Sequence, residues 1–236
     1  MSMINLSAPQ NILDPLERIL LETKPISIFL YGSRARNDFL DRSDYEIGVL
    51  YEKELRPSRI ELESLYDQSM MRVYPFVYED FMAGNPDTPF PKQHYLFELS
   101  RYGKIIAGKN VFNRINPVLI SQDLVELVYF ELGYAVSAML SYRNDDQITA
   151  STTFHKSVLF GARAYLYAAY GQFPGSYSEI ANAFVLHAKD IDPKYIELTR
   201  NAIQVRSGEQ IDKAMLYTNI SFLNKLVLPI VKGMES

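Results

Sequence analysis

The stretch FLYGSRARNDFLDRSDYEIGVLY, Phe29 to Tyr51, restricts the possible folds more than any other part of the chain. Two runs rich in β-branched and aromatic residues, Ile26–Tyr31 and Tyr45–Tyr51, read as strands. The first ends in Gly32-Ser33, and the second opens on Asp44 and Glu46, two residues apart. A glycine lets backbone approach an anion closely. The N–H groups of a turn that enters a helix, with a serine hydroxyl beside them, are donors for such an anion. Carboxylates at i and i+2 of a strand point to one face. Their mutual repulsion is relieved by solvent or by a hard divalent cation between them. A phosphate cradle beside a pair of cation-binding carboxylates is the equipment of nucleotidyl transfer.

The rest of the chain divides near Asn116-Pro117. Before that point, short elements alternate. Asp14-Pro15 reads as an N-cap with proline at the first helical position, which predicts a helix over Asp14–Thr23. Pro57-Ser58 opens a helix reaching about Gln68, and Arg72–Tyr78 is a third strand. Pro75 assigns that strand to a sheet edge or a bulge. Ala83–Lys92 is a loop, and His94–Tyr102 is a helix stopped by Gly103. After residue 116 no strand alternation is visible. Amphipathic patterns predict five helices: Ser121–Tyr142, Ser151–Tyr170, Tyr177–Lys189, Pro193–Val205 and Glu209–Val231. Small residues recur in the second (Gly161, Ala162, Ala164, Ala168, Ala169), which suits close helix contact. The expected domains are residues 1–116 and 117–236.

Composition limits the class of partner. The chain has no cysteine, so disulfides and thiolate metal sites are excluded. A net charge of −4 with no Lys/Arg run argues against a surface that grips many phosphates of a polynucleotide. No uninterrupted apolar run approaches the ~20 residues of a membrane span. The opening MSMINLSAPQ lacks the basic and apolar regions of a signal peptide, so a cytoplasmic protein with no membrane partner is expected. The three histidines, His94, His155 and His187, show no metal-ligand spacing. There is no GxxxxGK[ST] and no GxGxxG.

The segment GSRARNDFLDRSDYEIGVL resembles the signature of the polymerase-beta-type nucleotidyltransferase superfamily. In that signature, Gly-Ser is followed by a spacer and then Asp-hydrophobic-Asp/Glu-hydrophobic; here the spacer is residues 34–43. The GSRAR form is similar to small stand-alone and aminoglycoside nucleotidyltransferases. Those usually have glycine next, and here Asn37, the best substitute at positive φ, takes its place. The stretch KSVLFGARAYLYAAYGQFPGSYSEI resembles the helical partner domain of the kanamycin nucleotidyltransferase and HEPN families. The Arg-then-His pair of HEPN ribonucleases is absent.

The resemblance implies an α/β (α+β) domain with a small mixed sheet, followed by an all-α antiparallel bundle that closes a cleft over a nucleotide. It implies Mg2+ (or Mn2+) held by Asp44 and Glu46, and a nucleoside triphosphate, expected to be ATP, held by Gly32, Ser33, Arg34 and Arg36. The nucleoside monophosphate would pass to a hydroxyl of a small molecule or protein, with release of pyrophosphate; a homodimer is left open. Relatives place a third carboxylate on a later strand, but Met71–Tyr78 carries none. Glu79 just beyond it could be displaced into that role, two carboxylates could suffice, or the site could bind nucleotide without turnover. The last is the alternative function, a non-catalytic or antitoxin-like module of the same fold. In aminoglycoside-type relatives a glutamate on the first bundle helix is the general base. Glu126 and Glu131 lie on the matching helix, with Glu131 the candidate.

Overall fold

A computed structural model describes residues 4–41, 43–188 and 190–234. The chain forms two compact units, Met1–Val118 and Leu119–Ser236. The first contains α1 (Gln10–Thr23), β1 (Ser27–Tyr31), α2 (Gly32–Ala35), β2 (Tyr45–Tyr51), α3 (Arg59–Glu63), β3 (Met71–Val77), α4 (Tyr78–Met82), α5 (Lys92–Tyr102) and β4 (Lys104–Gly108). The four strands form one small mixed sheet in the order β3-β2-β1-β4. Strand β1 runs antiparallel to both β2 and β4, and β2 runs parallel to β3. Pro75 therefore sits on an edge strand, as its missing N–H requires.

Side-chain alternation gives the sheet two apolar faces. On one, Ile28, Leu30, Ile47, Val49 and Val73 pack with Ile12, Leu16 and Ile19 of α1 and Leu62 of α3. Spacing of four and three residues aligns those α1 side chains in one stripe. Ile12 belongs to that stripe, so α1 begins at Gln10, four residues before the expected N-cap, and Asp14 and Pro15 lie inside it. Helix α3 is shorter than expected, but it starts at the expected place through a capping box between Ser58 and Glu61. On the opposite face, Phe29, Tyr31, Leu50 and Phe76 pack with Phe81 of α4 and with Tyr95, Leu96 and Leu99 of α5. The ring of Phe29 lies across Gly48, where a Cβ would fall 2.0 Å from the ring Cζ. Gly48→Ala should therefore destabilise the protein by about 1–3 kcal/mol through overpacking. A denaturant midpoint equal to wild type would show that the ring can move aside.

The helical unit contains α6 (Ser121–Arg143), α7 (Gln147–Tyr170), α8 (Tyr177–His187), α9 (Pro193–Arg206), α10 (Lys213–Phe222) and α11 (Leu228–Lys232). The expected end of the third bundle helix, Lys189, lies outside the described residues. Helix α7 is the central member: Phe154, Val158, Leu159, Ala162 and Leu166 are all buried. A Cβ on Gly161 would lie 2.5 Å from Leu223 Cδ2, so the small residue there admits a neighbouring helix. The last expected helix is interrupted by a π-type turn, Leu223–Val227, between α10 and α11. Pro229 explains the position, because it has no N–H for the preceding turn and its ring crowds that turn's carbonyl. Both Ser121–Arg143 and Lys213–Lys232 are long and apolar enough to cross a membrane by length and composition. Polar residues interrupt the apolar ones in both, so neither is a continuous apolar run. Both pack against α7 in the helical unit.

Candidate active site

Tyr31, the last residue of β1, pairs with Glu46 near the start of β2. The antiparallel register thus brings Gly32-Ser33 and the two carboxylates to one end of the sheet. Gly32 has φ +70, the left-handed region, and turns the chain directly into α2. A Cβ on Gly32 would lie 1.7 Å from Glu46 Oε2, so the carboxylate rests against the bare Cα. The turn is closed by backbone bonds from Arg36 to Gly32 (3.3 Å), Asn37 to Arg34 (3.3 Å) and Asp38 to Ser33 (2.8 Å). Asn37 has φ +56, the conformation expected of it. Ser33 is partly exposed, and its hydroxyl makes no hydrogen bond among the described residues.

The two arginines of GSRAR are committed elsewhere. Arg34 donates from Nε and Nη2 to the Ser43 carbonyl, at 2.9 and 2.6 Å. Its guanidinium also lies 4.6 Å from the Phe39 ring centroid and 4.0 Å from that of Tyr45. It pins the two ends of the connecting loop together. Arg36 is ion-paired with Glu98 of α5, with side-chain exposures of 4% and 19%. An enclosed pair of this kind fixes α2 on α5. Arg34 thus braces the loop that follows the cradle, and Arg36 braces α2 against α5.

The third-carboxylate expectation also changes. Parallel pairing of β2 with β3 sets Glu46 opposite Arg72 and Tyr51 opposite Val77. Arg72 to Val77 is five residues along β3, about 17 Å at strand rise, and Glu79 lies beyond in α4. Glu79 is exposed at the wrong end of the strand and does not join Asp44 and Glu46. The side chain brought there is Arg72, whose Nε lies 3.3 Å from Asp44 Oδ2. Sequence reasoning missed it, because strand parity alone does not reveal which β3 residue faces the carboxylates. Among the described residues no three His, Asp or Glu side chains are grouped for a metal.

Tyrosines complete the site. Tyr31, Tyr74 and Tyr95 are neighbours, with ring centroids 6.2 Å apart for Tyr31–Tyr74 and 5.6 Å for Tyr31–Tyr95. Burial pushes the Tyr31 hydroxyl well above its ordinary pKa, and Tyr95 and the Glu46 carboxylate add to the shift. Burial, then the Glu46 charge, also raises Tyr74. All three therefore remain neutral hydroxyls around Glu46 at neutral pH.

The helical unit's candidate base fares differently. Glu131 on α6 is 1% exposed, and its backbone carbonyl accepts from Ser157 Oγ at 2.9 Å. A carboxylate so enclosed has no access to an acceptor hydroxyl, so the general-base expectation for Glu131 is not supported. Glu126 on the same helix is exposed.

The two carboxylates fit a magnesium ion that arrives with a triphosphate. Mg2+ is commonly held by one or two carboxylates plus substrate phosphates and water. Gly32 has no Cβ, which lets the Glu46 carboxylate lie against its backbone, and the partly exposed Ser33 follows it in the turn.

No protein-family model matches the chain, and no curated protein does so either. A solved structure does: the spectinomycin adenyltransferase AAD(9) from Enterococcus faecialis, crystallised with ATP and spectinomycin. The TM-score is 0.60 at 15% sequence identity, over 96% of this chain and 100% of that one. At that identity the likeness shows the fold alone. The chain has the nucleotidyltransferase fold, a small mixed sheet with helices, followed by a helical C-terminal region.

Proposed function

We propose that the chain transfers a nucleoside monophosphate from a magnesium-bound nucleoside triphosphate to a hydroxyl of a small molecule. The observation that carries this reading is the convergence of Gly32, Ser33, Asp44 and Glu46 at one end of the sheet, within a fold shared with an adenyltransferase. The acceptor oxygen attacks the α-phosphorus, the bond to the α–β bridging oxygen breaks, and pyrophosphate leaves with that electron pair. The acceptor's proton is released to solvent. The cation, when bound with substrate, neutralises charge that develops on the phosphates. Asp44 and Glu46 would hold that cation, Ser33 would donate to a phosphate oxygen, and the neutral tyrosines line the surroundings of Glu46. ATP is the proposed nucleotide, and an acidic chain favours a small acceptor over a polynucleotide.

A second reading, a nucleotide-binding module without turnover, is favoured by one observation: the strand on which a third acid was expected brings Arg72, not an acid, beside Asp44 and Glu46. The four triphosphates with Mg2+ or Mn2+, incubated with a metabolite pool, separate the two. Pyrophosphate release with a mass-shifted acceptor supports transfer. Nucleotide binding with neither product supports the module. Within either reading, Ser33→Ala should weaken triphosphate binding by about 0.5–2 kcal/mol, the size of one hydrogen bond. Calorimetric titration giving the wild-type affinity would remove Ser33 from the site.

A further inference from the structure

The sheet presents three charged side chains on one face at one end: Asp44, Glu46 and Arg72. Parallel register sets Arg72 directly beside Glu46, and its guanidinium already pairs with Asp44 at 3.3 Å. The next β3 residue on that face is Tyr74, opposite Gly48, so no acid replaces the arginine. We infer that Arg72 is a triphosphate-binding residue that takes the place of a second cation, so that the site works with one divalent ion. This rests on the nucleotidyltransferase reading above.

The charge arithmetic is direct. Two carboxylates contribute −2, and the guanidinium beside them contributes +1. A second divalent ion would have to sit against that guanidinium with no third carboxylate to hold it. A triphosphate meets the opposite situation, because its anionic oxygens are the natural partners of a planar guanidinium. The Arg72 and Asp44 side chains are 46% and 40% exposed, so their bond is a weak, solvent-screened one that can be exchanged. Arg72 also lies on β3, an edge strand of the sheet that the described residues form, and its side chain is exposed. When magnesium triphosphate arrives, Asp44 turns to the cation and Arg72 turns to the phosphates. The pair exchanges one ionic partner for another, and neither charge is left alone. Arg59, whose guanidinium lies over the Tyr74 ring, pairs with Glu63 of its own helix, whereas Arg72 pairs with Asp44.

Two binding measurements on the full chain test this without turnover. In the first, Mn2+ is titrated in the presence of a non-hydrolysable ATP analogue, and free ion is read by electron paramagnetic resonance. Wild type should hold one Mn2+ per chain, and Arg72→Asp, which supplies the missing acid, should hold two. In the second, the analogue is titrated calorimetrically in EDTA. Wild type should bind it weakly, and Arg72→Gln should bind it about ten- to a hundred-fold more weakly, the effect of losing a charge-assisted bond. Arg72→Lys should keep part of that affinity through its charge. Circular dichroism should be unchanged in all three variants, since the side chain is half exposed. Two Mn2+ ions per wild-type chain, or an Arg72→Gln protein with wild-type affinity in EDTA, would overturn the assignment while leaving nucleotidyl transfer in place. A wild-type chain that binds the analogue neither with metal nor without it overturns both.

Discussion

Asp44→Asn should lower nucleotidyl transfer about a thousand-fold or more while the fold persists, the size expected when an electrostatic contact to the reacting phosphates is lost. The amide keeps the shape of the side chain and removes one negative charge from a pair of two. The cation then keeps only Glu46 as an anionic ligand, and the triphosphate loses its anchor. The structural cost is small. The bond lost is to Arg72, and both side chains are nearly half exposed, so it contributes about 0–1 kcal/mol. In a chain of 236 residues that corresponds to a shift of at most about 4 °C in Tm. The Arg72 guanidinium beside Asp44 already offsets part of the repulsion between Asp44 and Glu46. Melting curves with and without Mg2+–ATP report the result through ligand linkage. Wild type should gain stability from the ligand and Asp44→Asn should gain little. Equal gains in both proteins would show that Asp44 does not hold the cation.

Gly32→Ala should damage both stability and binding, for separable reasons. The residue has φ +70, which costs a side-chain-bearing residue roughly 1–2 kcal/mol. Its new Cβ would also lie 1.7 Å from Glu46 Oε2, a distance no pair of non-bonded atoms tolerates, so the carboxylate must leave its position. Gly171, at the end of α7, supplies the control. It has φ +65, and a Cβ placed there would meet nothing within 4 Å, so its alanine variant feels the backbone strain alone. Both variants should melt lower than wild type. Only Gly32→Ala should lose the stabilisation by Mg2+–ATP. Retention of that stabilisation in Gly32→Ala would mean that Glu46 can bind the ligand from a second position, and the cradle would have to be redrawn.

Much of this site is set by interactions between residues close in sequence, and the sequence determines those. Gly32 and Asn37 take positive φ because the turn after β1 needs it and these residue types permit it. Asp44, just before β2, and Glu46 within it are two residues apart, the spacing that puts side chains of an extended chain on one face. Ser58 and Glu61 start α3 by bonding one another three residues apart. Pro75 marks an edge because it cannot donate to a neighbour. The strand β4 and the short helix α4 escaped notice because KIIAG and YEDFM are too brief to show a period. β4 acquires its conformation by pairing with β1 some eighty residues away. The tertiary structure alone decided which distant groups meet. Arg34 and Arg36 both carry charges that could grip phosphate, and only folding shows them turned to Ser43 and Glu98. Glu131 has a general base's chemistry and is 1% exposed. Strand β3 could have run in either direction beside β2. Its parallel register sends Glu79 to the far end and delivers Arg72 to Asp44. Such pairings are set by the packing of whole elements, whose energy is spread over many contacts between distant residues, so no short stretch of sequence carries them.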